Sequence, residues 1–212
     1  MTNRPEVVGI VMAAGGSTRF GSPKQLLPYG NTTLLGHIVD LVNASTLEQI
    51  VVVLGREAEQ VRGSVDWGRA AVVDNLAYGT GCASSLLAGL DTAGDCAAIM
   101  LLLGDQPGIR TQDIDQVHKE WLGFRPWAAA TEYKGKLGHP LVFSNDSFND
   151  LRALHGDKAV WKLIEQLPQR VARVTVDADF PPDIDTIEDY QRMLETERRM
   201  TIAHPIQSGP HR

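Results

Sequence analysis

The sequence predicts a single α/β domain built on a parallel sheet that helices cover on both faces. Apolar runs of strand length alternate with segments of helical spacing. Several of those runs are apolar throughout, as strands buried on both faces must be. The first run also empties into Ala13-Ala14-Gly15-Gly16, a tight loop of small residues of the kind that follows the first strand of such folds.

The first strand is Val7-Val8-Gly9-Ile10-Val11-Met12. A helix over 34–42 follows from apolar residues at Leu34, Leu35, Ile38, Leu41 and Val42. Strands are expected at 50–54, 70–73 and 97–103, with helices between them at 58–62 and 83–90. After Asp105 the pattern loosens. Residues 127–133 and 137–143 read as a hairpin turned through Lys134-Gly135-Lys136. Helices at 147–154 and 159–166, a strand at 171–176 and a last helix at 189–199 complete the order. The tail from Thr201 carries Pro205, Gly209 and Pro210 and is expected to be disordered. No repeat, low-complexity tract or linker divides the chain. Residues 1–200 are therefore expected to form one domain, with 201–212 as a tail.

Composition narrows the function. The chain has 212 residues, 43% of them hydrophobic and 22% charged, the balance of an ordinary globular protein. No apolar run approaches the roughly 20 residues of a membrane helix. Residues 1–6 lack the charged-then-apolar order of a signal peptide, so a cytoplasmic location is expected. A net charge of −6 argues against nucleic-acid partners, which select basic surfaces. Cys82 and Cys96 are too few for a zinc cage or disulfide framework and are expected to be thiols in or near the core.

The loop Ala13-Ala14-Gly15-Gly16-Ser17-Thr18-Arg19-Phe20-Gly21-Ser22-Pro23-Lys24 suits an anionic ligand. Small residues let backbone N–H groups approach closely, and Arg19 and Lys24 add two cations able to clamp a triphosphate. Neither the Walker pattern nor the dinucleotide fingerprint is present. A tight turn with solvated Arg and Lys would explain any part of this string, but explains the whole of it poorly.

Extended through Gln25-Leu26-Leu27, the string resembles the signature of the MobA-like nucleotidyltransferases, closest to the molybdenum-cofactor cytidylyltransferase type. Phe20 stands where that pattern usually has Met. The resemblance covers nearly the whole chain. It implies a Rossmann-like three-layer sandwich with a mostly parallel mixed sheet, a bound nucleoside triphosphate and Mg2+.

Met100-Leu101-Leu102-Leu103-Gly104-Asp105-Gln106-Pro107 sets a carboxylate at the end of an apolar strand, where open α/β sheets bind ligands. Facing a triphosphate, Asp105 needs a cation between, which makes it a candidate magnesium ligand. A turn or capping Asp is the plainer alternative. Within Pro182-Asp183-Ile184-Asp185-Thr186-Ile187-Glu188-Asp189, the resemblance implies Asp185 as second metal ligand, while a helix start capped by Asp185 or Thr186 fits the same residues. Asp189 is expected to be structural. Direct in-line attack by an acceptor phosphate needs no general base. Lys24 would stabilise the α-phosphate and Arg19 the departing pyrophosphate.

For the base, Asn75, Gly81, Ser84 and Ser85 resemble the family's nucleobase-pocket segment, although Ser84 also suits a plain first helical turn. The loop reads Ala-Ala-Gly, as in cytidylyltransferases, rather than Ala-Gly-Gly. A methyl at Ala14 projecting toward the base would favour CTP over GTP. For the acceptor, Gly138-His139-Pro140 resembles the segment of molybdopterin-handling members, with Gln106, His139 and Lys158 as candidate contacts. In His155-Gly156-Asp157-Lys158-Ala159-Val160-Trp161 the family's usual Gly and Arg give way to Ala159 and Trp161, which removes a cation. The expected partners are CTP, a phosphorylated acceptor such as molybdopterin and a molybdoenzyme receiving the product. A sugar or alcohol phosphate acceptor, or a carrier without turnover, are the other readings.

Overall fold

Alternation along the central strands sorts their side chains into two cores, one on each face of the sheet. In β1 (Val7–Ala13), Val7, Val11 and Ala13 enter one core while Val8 and Ile10 enter the other. The computed structural model describes residues 5–16 and 20–203. After β1 come a short hairpin, β2 (Pro28–Tyr29) and β3 (Thr32–Thr33), then α1 (Leu34–Asn43), β4 (Gln49–Leu54), α2 (Ala58–Arg62), β5 (Ala71–Asp74), α3 (Cys82–Ala93) and β6 (Ala98–Leu103). The second half adds α4 (Thr111–Phe124), β7 (Ala128–Tyr133), β8 (Lys136–Ser144), α5 (Phe148–Arg152), α6 (Ala159–Gln166), β9 (Val171–Val176) and α7 (Ile187–Ala203).

Seven strands form one sheet in the order β5-β4-β1-β6-β8-β7-β9. Only β8 runs antiparallel to its neighbours, so the sheet is mixed but mostly parallel, as expected. The core of one face takes Ile38, Val39 and Val42 from α1 and Ile114, Val117 and Trp121 from α4. The other takes Leu86 and Leu90 from α3 and Val160, Leu163 and Ile164 from α6. Helices on both faces complete three layers. Among the described residues, no helix is long and apolar enough to cross a membrane.

One helix departs from the expected order. α4 fills the stretch after Asp105 where the sequence periodicity loosens. Its buried positions Ile114, Val117, His118 and Trp121 keep the i, i+3, i+4, i+7 spacing, but a histidine and an indole stand where aliphatic residues would have marked the stripe. The final helix begins at Ile187 because Thr186 and Asp189 cap its first turn. It continues to Ala203, three residues into the expected tail; residues 204–212 lie outside the described residues.

The chain leaves β1 for β4 on one side, while β6 flanks β1 on the other. Such a switch point opens a crevice at the C-terminal ends of the two strands, where loops diverge to opposite faces. The loops after β1 and β6 meet there.

Candidate active site

β1 and β6 end in register, Met12 opposite Leu103, which brings the first loop beside Gly104 and Asp105. Buried Gln25 spends its amide hydrogens on two loop carbonyls, Ala13 O at 2.8 Å and Gly15 O at 3.0 Å. That brace sets the loop's start against the turn Lys24–Leu26 and leaves Gly15 and Gly16 lining a cavity. Ser17 and Arg19 lie outside the described residues.

Ala14 does not point as the sequence suggested. It is 8% exposed and packs with the sheet core, where Gly55 makes room for it. A Cβ at Gly55 would stand 2.6 Å from Ala14 O and 2.8 Å from Ala14 Cβ. The methyl therefore meets β4's end, and any influence on base choice passes through the loop's position.

Lys24 holds the centre of the site. Its ammonium donates to Asp105 Oδ2 at 2.7 Å, Asp185 Oδ1 at 3.1 Å and Ile184 O at 2.9 Å. Burial alone would lower the Lys24 pKa, yet the carboxylates of Asp105 and Asp185 raise it, so the amine stays charged. The acidic segment reaches the sheet because Ile184 is buried against Tyr29 and Leu34, and its N–H donates to Asp105 O at 2.9 Å. Thr186 and Asp189 then hold Asp185 at the helix mouth through bonds to Asp189 Oδ2. Asp189 has the structural role expected of it.

Gln106 sits elsewhere than an acceptor contact would. It is 2% exposed, and its amide donates to Pro181 O and, at 2.6 Å, to Asp183 Oδ1. It ties down the segment that carries Asp185. Asp183 itself was not foreseen. Burial, then the Asp105 charge, pushes its pKa up.

The segment after β5 is organised from within. Asn75 donates to Ser84 Oγ at 2.8 Å and Ser85 Oγ at 3.0 Å and accepts from Ala77 N. Ser84 Oγ also lies within bonding distance of Ala77 O and Gly81 O. These polar atoms shape the loop. Gly81 adopts φ of +109°, and the loop around Gly156 docks on it, with Ala83 N donating to Gly156 O and Cys82 N to Asp157 Oδ1.

That docking forms one wall of an open cavity of about 690 Å3, lined also by Gly15, Gly16, Lys24, His139, Lys158 and Trp161. Cys82 lines it, whereas Cys96 is buried in the core. His139 is 8% exposed, and burial lowers its pKa from 6.5 to about 4. Its ring meets Trp161 edge to face, centroids 5.4 Å apart. Trp161 is the main residue sequence reasoning left without a role; its only signal was the departure from Arg.

A neutral buried His139 makes stability depend on pH. Above pH 6.5 neither state holds the proton. As pH falls toward 4, the unfolded chain protonates first and stability is lost, by about 2 kcal/mol between pH 7 and pH 5. Urea unfolding of His139→Gln should show that much less loss over the same interval. An identical pH dependence in the two proteins would refute a buried neutral imidazole.

Residues 9–171 match the MobA-like NTP transferase domain. Nicotine blue oxidoreductase of Paenarthrobacter nicotinovorans is 28% identical over 91% of this chain and 98% of its own. A probable molybdenum cofactor guanylyltransferase of Thermococcus sibiricus is 28% identical over 66% of this chain and 70% of its own. A solved homologue of Mycobacterium tuberculosis Rv0371c, from Mycobacterium sp. strain JC1, is 40% identical with a TM-score of 0.82, covering 93% of this chain and 99% of that one. Rv0371c of M. tuberculosis H37Rv, solved in complex with manganese, is 34% identical with a TM-score of 0.78 over 90% of this chain and 99% of that one.

Proposed function

Because the chain belongs to the MobA-like NTP transferase family, we propose that it transfers the nucleoside monophosphate of CTP to molybdopterin, with Mg2+ bound and pyrophosphate released. The observation that carries this reading is the convergence of Asp105, Asp185 and the Ile184 carbonyl on one cation, the Lys24 ammonium, at the C-terminal ends of β1 and β6.

The donor set fits a hard divalent ion. Three oxygens already surround a single positive charge. Among the described residues, no group of three or more His, Cys, Asp or Glu side chains could hold a metal. An ion here would take its remaining ligands from phosphate and water, as Mg2+ habitually does. Asp105 and Asp185 would hold it, and it would neutralise charge between them and the triphosphate. The manganese complex of the Mycobacterium tuberculosis relative supports the same chemistry.

The chain's own groups do the rest. Gly15 and Gly16 offer backbone to the phosphates, with Ser17 beside them. Lys24 moves from the carboxylates to the α-phosphate, where negative charge builds during attack. Arg19 pairs with pyrophosphate. Asn75, Gly81, Ser84 and Ser85 keep the base-side loop in shape. His139 and Lys158 meet the acceptor, whose ionised phosphate attacks without a base. The Ala-Ala-Gly loop supports CTP, and the resemblance of Gly138-His139-Pro140 supports molybdopterin. The product would pass to a molybdoenzyme in the cytoplasm.

Pyrophosphate release with CTP and with GTP, each with molybdopterin or a sugar phosphate and with Mg2+ or a chelator, tests every part. Absence of release from CTP and molybdopterin with Mg2+ present would overturn the reading. The oxidoreductase relative favours a second one, redox chemistry on a substrate in the same cavity. Turnover that survives Asp105→Asn without pyrophosphate release would select it.

Removing the Lys24 charge should expose the carboxylates to metal. Without nucleotide, Lys24→Met should bind Mn2+ about tenfold more tightly than wild type, since the ammonium no longer neutralises Asp105 and Asp185. Isothermal titration with Mn2+ alone measures this. Equal or weaker affinity would separate the Lys24 position from the metal position.

A further inference from the structure

A second cavity, of about 420 Å3, lies at the opposite end of the sheet from Lys24. Its lining residues on the sheet side precede β1 and β6 or end and follow β8, and Ser144, the last residue of β8, pairs with Ala98 at the start of β6. Ala98 N also donates to Glu6 O at 2.9 Å, which fixes the backbone of Glu6 beside the cavity. The last turn of α4 supplies Trp121, and Arg125 follows that helix. None of these residues has a part in the proposed transfer.

Three features of the lining favour a cation. Glu6 and Asp146 are its carboxylates, and Arg125 is its single positive charge. That guanidinium sits 5.5 Å from the centroid of the Trp121 ring, with its Nη2 2.9 Å from Glu6 Oε2. α4 also ends at the cavity, which turns the negative end of its dipole toward it. One polar group here is unsatisfied. Ser144 is 6% exposed, and its Oγ has no hydrogen-bond partner among the described residues. A buried hydroxyl in that state is costly, and a ligand N–H would relieve it.

Arg125 shows what the site holds, and it is free to leave. Its side chain is 51% exposed, so swinging into water gives up only a surface ion pair and a surface ring contact. The lining then carries two carboxylates and no positive charge. We propose that the cavity binds a small aliphatic dication, one end replacing Arg125 on Glu6 and Trp121 while the other donates to Asp146 and Ser144 Oγ. A monocation would leave one carboxylate unmatched, and an anion would meet two like charges. Methylenes joining the two ends would pack on Ala97, a further lining residue.

Isothermal titration of the full chain with agmatine, at fixed ionic strength and without nucleotide or metal, tests this independently of turnover. Wild type should bind one agmatine, and 1-butylguanidine, which keeps a single charge, about fivefold more weakly. Arg125→Ala should bind agmatine about fivefold more tightly, because the competing guanidinium is gone. In that background Asp146→Asn should cost about fivefold and Glu6→Gln about tenfold. Circular dichroism checks folding, and Arg125→Gln replaces Arg125→Ala if the latter does not fold. Agmatine affinity that ignores Glu6→Gln and Asp146→Asn overturns the proposal, as does absence of binding to both wild type and Arg125→Ala. Weaker binding to Arg125→Ala than to wild type overturns the exchange. Binding that is lost in Asp105→Asn would put the cation beside Lys24 and overturn the second site.

Discussion

Replacing Asp105 with Asn should reduce pyrophosphate release about a thousandfold, a loss of roughly 4 kcal/mol of transition-state stabilisation. The residue follows β6, and its backbone carbonyl, not its side chain, receives the Ile184 N–H. Asn keeps that bond and the side chain's shape. Lys24 retains Asp185 and the Ile184 carbonyl as partners. What disappears is one of two negative charges at the proposed metal position, and that charge matters most with a triphosphate alongside. Folding should survive, because the Asp105 side chain is 23% exposed and not part of either core. Thermal unfolding within a few degrees of wild type, together with lost turnover, is the expected pair of results. A folded variant releasing pyrophosphate at the normal rate would remove Asp105 from the metal site.

The second large effect is on stability. Gly81→Ala should cost about 3 kcal/mol, from strain at a positive φ and from a backbone collision. A Cβ there would lie 2.7 Å from Gly156 C, 2.8 Å from Gly156 Cα and 3.1 Å from Asp157 N. No side chain can swing aside to relieve this. The loop must lift from the start of α3, which breaks the bonds from Ala83 N and Cys82 N. Lys158 and Trp161 follow that loop, so acceptor binding should fall with stability. Gly79→Ala is the control. Its added Cβ would meet nothing within 4 Å, and it should stay within about 0.5 kcal/mol of wild type. Urea unfolding of both variants makes the comparison, and equal stabilities would mean that the loop does not depend on close approach at Gly81.

Much of this architecture can be read from neighbouring residues. β1, β4 and β6 announce themselves because strands buried on both faces need unbroken apolar runs, and the parallel order follows from the helices between them. Asp105 is legible too, as the first charge after such a run. The Thr186–Asp189 cap is local, its two residues only three apart. The α4 stripe was present in Ile114, Val117 and Trp121 but diluted by polar neighbours, so burial rather than composition reveals it.

What only the tertiary structure decided are the pairings across distant sequence. Lys24 meets Asp185 across 161 positions, and Gln106 meets Asp183 across 77. Ala14 turns toward Gly55 rather than the ligand because β4 lies against β1 in the sheet. Trp161 faces His139 because α6 packs into the same core as β8. Periodicity reports which side of its own element a residue occupies. It carries no information about which other element will lie opposite, since the packing of whole elements, not the local backbone, determines that.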